Sequence, residues 1–136
     1  MSELHRHFLT HLFDQAVAAA DPTQALRGRL PSPPKGKTVV IGAGKGAAQL
    51  AQAFETLWDA PYEGVVVTRY GYGAECKNIR VFGAAHPVPD AAGIIAAQAL
   101  KEAVAGRGPD DLVIALICGG GSSLLPDPPV GLTLAD

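Results

Sequence analysis

The chain has 136 residues, of which 48% are hydrophobic, and this is enough apolar material for the core of one domain. Its formal net charge is -2, with 11 basic and 13 acidic residues, so it lacks the positive surface that nucleic-acid binding requires. No apolar run approaches the roughly 20 residues of a membrane helix, and Cys76 and Cys118 lack CxxC spacing. These features predict a cytoplasmic protein with reduced thiols and a small polar ligand, without nucleic-acid or membrane partners.

The lead-in, residues 1–36, is expected to be helical and to end in a proline-rich linker. Apolar residues at helical spacing predict an amphipathic helix over residues 3–20. Asp21 followed by Pro22 predicts the N-cap and first position of a short second helix. Three histidines lie on the first helix, and a solvated face is favoured over a metal site for them: His5, His7 and His11.

The core, residues 37–136, alternates strand signals with helical signals. The strand signals lie at residues 38–41, 64–68, 79–84 and 112–117. A helical period follows Gly46, and Asp90 is expected to cap a helix that reaches about Ala105. Apolar strands that alternate with helices predict an α/β fold, a doubly wound, Rossmann-like parallel sheet with helices on both faces. No covering helix is evident after the fourth strand, so the fold is expected to be truncated there.

Ligands of such sheets bind beyond the carboxyl ends of the strands, where four polar or glycine-rich segments follow the predicted strands. The first of these, predicted to be a loop, contains Gly42, Gly44 and Gly46 and satisfies the pattern G-x-G-x-x-G/A through Ala47. Glycines allow backbone N–H groups to approach an anion, and Lys45 adds a cation within this turn. An exposed lysine on the first turn of a helix is the alternative interpretation.

Two known nucleotide-binding motifs fit this loop poorly. A dinucleotide site requires an acidic residue at the end of the second strand, where Thr68 and Arg69 stand instead. A Walker A loop requires glycine where Val39 stands, and Ser or Thr where Gly46 follows the lysine.

The other strands are followed by further candidates. A nest of N–H donors for phosphate or carboxylate is predicted at Gly119-Gly120-Gly121-Ser122, with a flexible turn as the alternative. Arg69 stands where a carboxylate ligand is expected, and His86 follows the third strand. A surface role for the arginine and a structural role for the histidine are the alternatives. Cys118 is interpreted as a small buried residue rather than a nucleophile.

Together these segments resemble one family, the type 2 glycerate kinases, whose members are also often named hydroxypyruvate reductases. The similar stretches, in the same order and spacing, are Val40-Ile41-Gly42-Ala43-Gly44-Lys45-Gly46-Ala47-Ala48, Val67-Thr68-Arg69-Tyr70-Gly71, His86-Pro87-Val88-Pro89-Asp90 and Gly119-Gly120-Gly121-Ser122-Ser123-Leu124-Leu125. The turn Ala18-Ala19-Ala20-Asp21-Pro22 is also similar, so the resemblance covers nearly all of the chain. Members usually have His, Ser and Ala at three positions where this chain has Tyr72, Cys118 and Ser123.

The resemblance implies ATP-dependent transfer of a phosphoryl group to the C2 hydroxyl of D-glycerate, with Mg²⁺ bridging the nucleotide oxygens. Lys45 would be the catalytic cation, Arg69 and His86 would bind the substrate, and both glycine segments would bind phosphate. Members of the family are several times longer and carry a catalytic arginine in the part that this chain lacks. The resemblance therefore implies an N-terminal portion that needs a missing C-terminal domain or polypeptide.

Two alternative functions remain open. The first is a hydroxypyruvate reductase-type, NAD(P)-dependent oxidoreductase, which the glycine pattern permits and the missing acidic residue opposes. The second is an inactive fragment or subunit. In that case the uncovered fourth strand favours pairing with another copy, as a homo-oligomer, or with a separate C-terminal polypeptide.

Overall fold

Helices and strands follow one another in the predicted order. The computed structural model describes residues 2–120 and 122–136, and these contain four α-helices and four β-strands. The elements are α1 Glu3–Ala19, α2 Pro22–Leu26, β1 Thr38–Gly44, α3 Ala47–Leu57, β2 Glu63–Arg69, β3 Ile79–Ala84, α4 Ala91–Val104 and β4 Leu112–Cys118, with a 3-10 helix at Ser122–Leu124. As predicted, Asp21 and Asp90 cap α2 and α4, because each carboxylate accepts a backbone N–H of the first turn.

The four strands form one parallel sheet in the order β3-β2-β1-β4. The central strand β1 pairs on both sides, so that Ile41 lies opposite Val65 of β2 and Ala115 of β4. Parallel neighbours need a crossover connection, which α3 provides between β1 and β2 and α4 provides between β3 and β4. The predicted α/β fold with a parallel sheet is therefore confirmed.

One face of the sheet packs against α3. Val40, Val66 and Leu116, from three neighbouring strands, form a cluster with Phe54 and Trp58. The two rings stack with their centroids 5.2 Å apart, and Phe54 has no exposed surface. Truncating a fully buried phenylalanine to alanine costs about 3–5 kcal/mol. This cluster is therefore a major source of the stability of the fold.

The other face packs against α4 and against the chain that follows β4. Val65 contacts Ala99 and Leu100 of the helix. Leu124, in the 3-10 helix, has no exposed surface and packs with Ala43 where the strands end. The sequence showed that no long helix follows the fourth strand, but it did not reveal that Leu124 folds back over the middle of the sheet.

None of the residues that the structure describes covers the edge strand β4 on the α4 face. Val113 is 42% exposed and Ile117 is 61% exposed, although their register partners Val39 and Ala43 are buried. The contrast arises because α4 and Leu124 cover the middle of the sheet and do not reach its β4 edge. The exposed apolar surface expected on the fourth strand is present.

The lead-in contributes side chains to the core near α2 but none from α1. Leu26 and Leu30 pack against the α3-face cluster. The helix α1 forms as predicted, but it buries no residue, and apolar side chains such as Phe8 and Phe13 are 58% and 67% exposed. Its three histidines are also exposed, as predicted. None of the described helices is both long enough and apolar enough to cross a bilayer.

The first strand extends beyond its predicted end at Ile41. It runs to Gly44, because pairing with β2 continues to Ala43 and pairing with β4 continues to Gly44. The predicted loop is therefore only the two-residue turn of Lys45 and Gly46 before α3. Hydrogen bonding on both sides of a central strand outweighs the weak strand propensity of glycine.

Candidate functional site

The four predicted segments follow neighbouring strands at the carboxyl edge of the sheet. Across the order β3-β2-β1-β4, the residues at or just beyond the strand ends are His86, Arg69, Lys45 and Gly119. Neighbouring strands lie about 4.8 Å apart, so the row extends over about 14 Å. The structure thus brings the four candidates together side by side along one edge, with Lys45 between Arg69 and Gly119.

Lys45 occupies the turn between β1 and α3, with its side chain exposed. Its backbone carbonyl accepts a hydrogen bond from Thr68 Oγ1 at 3.0 Å, and Thr68 is only 1% exposed. This bond ties the turn to the end of β2. Among the described residues, no carboxylate lies within 4.0 Å of the lysine amine. Its positive charge is therefore available to an anion.

The glycines of the first segment are explained by close packing against β4. A Cβ on Gly42 would lie 2.7 Å from the carbonyl oxygen of Leu116, and a Cβ on Gly44 would strike the carbonyl oxygen of Cys118. Gly44 also has a φ of +124°, which residues with side chains rarely adopt. A Cβ on Gly46 would lie 2.7 Å from Cys118 Sγ. Packing against backbone requires glycine at positions 42 and 44, whereas at position 46 the Cys118 side chain could move aside. The role of the three glycines in binding phosphate stays a prediction.

The segment after β4 is open where the first segment is crowded. Gly119 has a φ of +77°, and a Cβ on Gly119 or Gly120 would meet no described atom within 4 Å. Packing therefore does not require glycine at position 120, and the space beside it can admit a ligand. Gly121 and the side chain of Ser122 lie outside the described residues, so the nest stays a prediction.

Arg69 lies at the end of β2, under the ring of Tyr72. Its guanidinium carbon is 3.7 Å from the ring centroid, which is a cation–π contact. Its Nε is buried and, within the described part of the chain, has no hydrogen-bond partner. The terminal nitrogens donate to no described residue and remain available to a carboxylate.

A hydrogen-bonded group holds the segment that contains His86. Tyr70 Oη donates to Asp90 Oδ2 at 2.7 Å, and Asp90 Oδ1 accepts the backbone N–H groups of Ala85 and Gly93. The hydrogen bond between the two side chains lowers the pKa of Asp90 and raises the pKa of Tyr70. Asp90 thus joins the exits of β2 and β3 to the start of α4. His86 is half-buried beside this group.

Three residues that shape the edge were not predicted: Thr68, Tyr70 and Tyr72. The contact of Tyr72 with Arg69 could have been predicted, because the two residues are three positions apart with Gly71 between them. This is the spacing of a four-residue turn, which brings its first and last residues together. The roles of Thr68 and Tyr70 depend on which strands are neighbours, and local sequence does not show this.

A cavity of about 300 Å³ lies at the opposite edge of the sheet. Its lining comes from the linker and the starts of β1 and β2, namely Pro33, Pro34, Lys37, Thr38, Tyr62 and Glu63. Ligands of parallel α/β sheets bind at the carboxyl ends of the strands. The candidate site is therefore the carboxyl edge, where the open glycine segment and the two cations lie.

The family described as a domain of unknown function, DUF4147, matches residues 8–136. The chain belongs to the DUF4147 family. The match extends over most of α1, over α2 and over the whole sheet, so it includes every element that forms the carboxyl edge.

Several relatives of this DUF4147 chain are enzymes by name. It is 50% identical to an Agrobacterium vitis protein provisionally named hydroxypyruvate reductase, over 96% of this chain and 30% of that protein. It is 37% identical to a glycerate 2-kinase of Pyrococcus horikoshii, over 92% of this chain and 31% of that enzyme. A crystal structure of glycerate kinase from Thermotoga maritima is similar with a TM-score of 0.87 and 28% identity, over 98% of this chain and 33% of that one.

These similarities confirm the glycerate kinase resemblance and the α/β fold of the DUF4147 chain. The chain spans about 30% of the length of the relatives it matches.

Proposed function

We propose that this chain is part of an ATP-dependent kinase that phosphorylates the C2 hydroxyl of D-glycerate to give 2-phosphoglycerate. The observation that carries the proposal is the order of groups along the carboxyl edge. Lys45 is exposed and lies between the open segment Gly119–Gly120 and Arg69, whose terminal nitrogens have no partner among the described residues. The similarity to a glycerate 2-kinase supports the same activity.

The nucleotide would bind on the Gly119 side of Lys45. The open space beside Gly120 and the unpaired lysine charge both fit a phosphate group. Successive backbone N–H groups of a glycine segment hold phosphate oxygens, and the neighbouring lysine offsets their negative charge. When bound, ATP supplies the phosphoryl group that is transferred.

The described part of the chain does not form a cage for Mg²⁺. In residues 2–120 and 122–136, no three His, Cys, Asp or Glu side chains are grouped so that they could hold a metal ion. Mg²⁺ in kinases usually keeps several waters and is held by one or two carboxylates together with phosphate oxygens. We therefore expect the ion to arrive with the nucleotide.

D-Glycerate would bind on the Arg69 side of Lys45. The free terminal nitrogens of Arg69 can hold a carboxylate through two parallel hydrogen bonds, with His86 on the next strand as its neighbour. The C2 hydroxyl is one carbon away from that carboxylate. Because β1 and β2 are neighbouring strands, whose backbones lie about 4.8 Å apart, a glycerate anchored on Arg69 would have its C2 hydroxyl within reach of the Lys45 side chain.

Lys45 would then stabilise the phosphoryl group as it passes from donor to acceptor. Phosphoryl transfer depends chiefly on positioning and on offsetting charge that spreads over the phosphoryl oxygens. A cation between the two subsites is placed for this purpose, and losing one such group typically costs about 10²–10³-fold in rate.

Isothermal titration calorimetry with Mg-ATP and with D-glycerate tests the two subsites on this chain. We expect Lys45→Ala to weaken the binding of Mg-ATP, and Lys45→Arg, which keeps the charge, to preserve most of it. In the kinase with its remaining polypeptide, Lys45→Ala should lower turnover about 10²–10³-fold. Because the side chain is exposed, thermal stability should not change. Normal turnover would exclude Lys45 from the reaction.

A hydroxypyruvate reductase is the second candidate, favoured by the glycine pattern and by the name of the Agrobacterium vitis relative. A dinucleotide site would use an acidic residue at the end of β2 for the ribose hydroxyls. Thr68 is buried there and bonded to the carbonyl of Lys45, and Arg69 is basic. Titration with NADH and NADPH separates the candidates, because tighter binding of either one than of Mg-ATP would favour the reductase.

We also propose that the chain alone has little or no kinase activity and works with a further polypeptide that closes over the edge. Lys45 and the glycine segment are exposed, whereas phosphoryl transfer needs a site that excludes water. The test is a coupled assay for ADP release with D-glycerate and Mg-ATP, run beside a full-length relative. Comparable turnover by this chain would show that residues 1–136 contain the whole catalytic site.

A further inference from the structure

The turn after β2 places an aromatic ring on the candidate carboxylate-binding arginine. The N–H of Tyr72 donates to the carbonyl oxygen of Arg69 at 3.1 Å, and Gly71 between them has a φ of +77°. A four-residue turn of this kind needs glycine at its third position. The first and fourth residues of the turn are in contact, since the guanidinium carbon lies 3.7 Å from the ring centroid.

The turn that carries Arg69 and Tyr72 is held by a helix on one side of β2 and by a neighbouring strand on the other. On the β1 side, Gln49 Nε2 of α3 donates to the carbonyl oxygen of Tyr72 at 3.2 Å. On the β3 side, the ring of Tyr70 packs on Gly83, where a Cβ would lie 3.0 Å from that ring. The hydroxyl of Tyr70 is held by Asp90. The turn that carries the ring therefore has fixed contacts on each side of β2.

We propose that Tyr72 is a positioning residue that fixes the direction in which Arg69 presents its terminal nitrogens to the substrate carboxylate. The inference rests on the proposed function, in which Arg69 binds D-glycerate. The ring centroid lies 3.7 Å from the guanidinium carbon, so the ring occupies space beside the guanidinium, whose N–H groups donate only within the guanidinium plane. Since Nε is buried, the two terminal nitrogens are left, and these bind a carboxylate side by side.

Tyr72→Leu removes the ring and keeps an apolar side chain, while Tyr72→Phe keeps the ring and is the matched control. Tyr72 is 43% exposed, so neither variant is expected to unfold the chain, and thermal melting checks this. The first readout is the Nε–Hε cross-peak of Arg69 in ¹H–¹⁵N spectra of this chain, identified by its absence in Arg69→Lys. The ring should shift this proton upfield in the wild type and in Tyr72→Phe, and the shift should disappear in Tyr72→Leu.

The second readout is affinity, measured by calorimetry. A cation–π contact at an exposed site corresponds to about a 2- to 5-fold change in affinity. We expect D-glycerate to bind Tyr72→Leu about 2- to 5-fold more weakly, Tyr72→Phe within about 2-fold of the wild type, and Mg-ATP to bind all three alike.

The outcomes separate this inference from the proposed function. The same cross-peak position in the wild type and in Tyr72→Leu would overturn the positioning of Arg69. Unchanged affinity of Tyr72→Leu for D-glycerate would overturn its role toward the substrate. If the wild-type chain bound no D-glycerate, the assignment of the substrate subsite to these 136 residues would fail. The cross-peak would then still decide whether Tyr72 fixes Arg69.

Discussion

Gly44→Ala should be severely destabilising, because two independent costs add at this position. A residue with a side chain at a φ of +124° costs about 1–3 kcal/mol. Its Cβ would also strike the carbonyl oxygen of Cys118, a backbone atom of a paired strand that cannot swing aside. Overpacking of this kind costs about 1–3 kcal/mol. The sum, about 2–6 kcal/mol, is a large fraction of the roughly 5–15 kcal/mol that stabilises a domain.

Gly120→Ala is the matched control, because the new Cβ would meet no described atom within 4 Å and the φ of Gly120 is not positive. Alanine has less backbone freedom than glycine in the unfolded chain, so this variant should be about 0.4–1 kcal/mol more stable than the wild type. For a chain of this size, 1 kcal/mol shifts Tm by about 3–5 °C. Thermal unfolding followed by circular dichroism should therefore show a Tm lower by at least about 6 °C for Gly44→Ala and higher by about 1–5 °C for Gly120→Ala. A Gly44→Ala variant that melted with the wild type would refute the packing explanation.

A larger side chain at position 120 tests whether the segment after β4 binds the nucleotide. Gly120→Val fills the open space and should weaken the binding of Mg-ATP, although the fold has room for the side chain. Normal binding of Mg-ATP by that variant would remove the segment after β4 from the site.

Further predictions concern groups outside the row of strand ends. The carboxylate of Glu55 accepts hydrogen bonds from the backbone N–H groups of Lys77–Ile79 at 2.6, 2.9 and 3.2 Å. Glu55→Gln should therefore lower the free energy of unfolding, measured in urea, by about 1–3 kcal/mol, and an unchanged value would refute this. Burial and the Glu55 carboxylate raise the pKa of Cys76 to about 11, so its alkylation by iodoacetamide should stay slow at pH 8. Because this pKa is higher in the folded chain than the ordinary value of about 9, the free energy of unfolding should fall as the pH rises from about 9 to about 11. The exposed face of β4 should cause self-association that Ile117→Lys reduces and Ile95→Lys on α4 does not, measured by light scattering; a monomer at every concentration would contradict it.

Most of the fold could be predicted because its elements carry local signals. Asp90 precedes an apolar helical period and caps α4, and β-branched runs mark the strands. The end of β1 could not be located in this way. Gly42–Gly44 looks like a loop by residue type and stays in the strand only because β2 and β4 pair with it, and those partners are distant in sequence.

The candidate site could be predicted as a set of loops but not as an arrangement. Parallel strands bring their carboxyl ends to one edge, so the sequence indicated which segments meet. The strand order then decides that Lys45 lies between Arg69 and Gly119, and this order depends on long-range pairing. The function of the first glycine segment could not be predicted either, because close packing and anion binding select the same glycine pattern. The contacts of this segment with β4 reveal the packing, and they are visible only in the structure.

The charges at the carboxyl edge indicate what kind of ligand would stabilise it. Arg69 and Lys45 are cations on neighbouring strands, in a chain with a net charge of -2, and neither has a carboxylate partner among the described residues. Like charges repel, weakly in water and more strongly where a bound partner excludes water. A ligand that is negatively charged at both ends, with a carboxylate on Arg69 and a phosphoryl group over Lys45, would offset both charges together. Binding one anion should therefore favour binding of the other, because each removes part of the repulsion that the free edge retains.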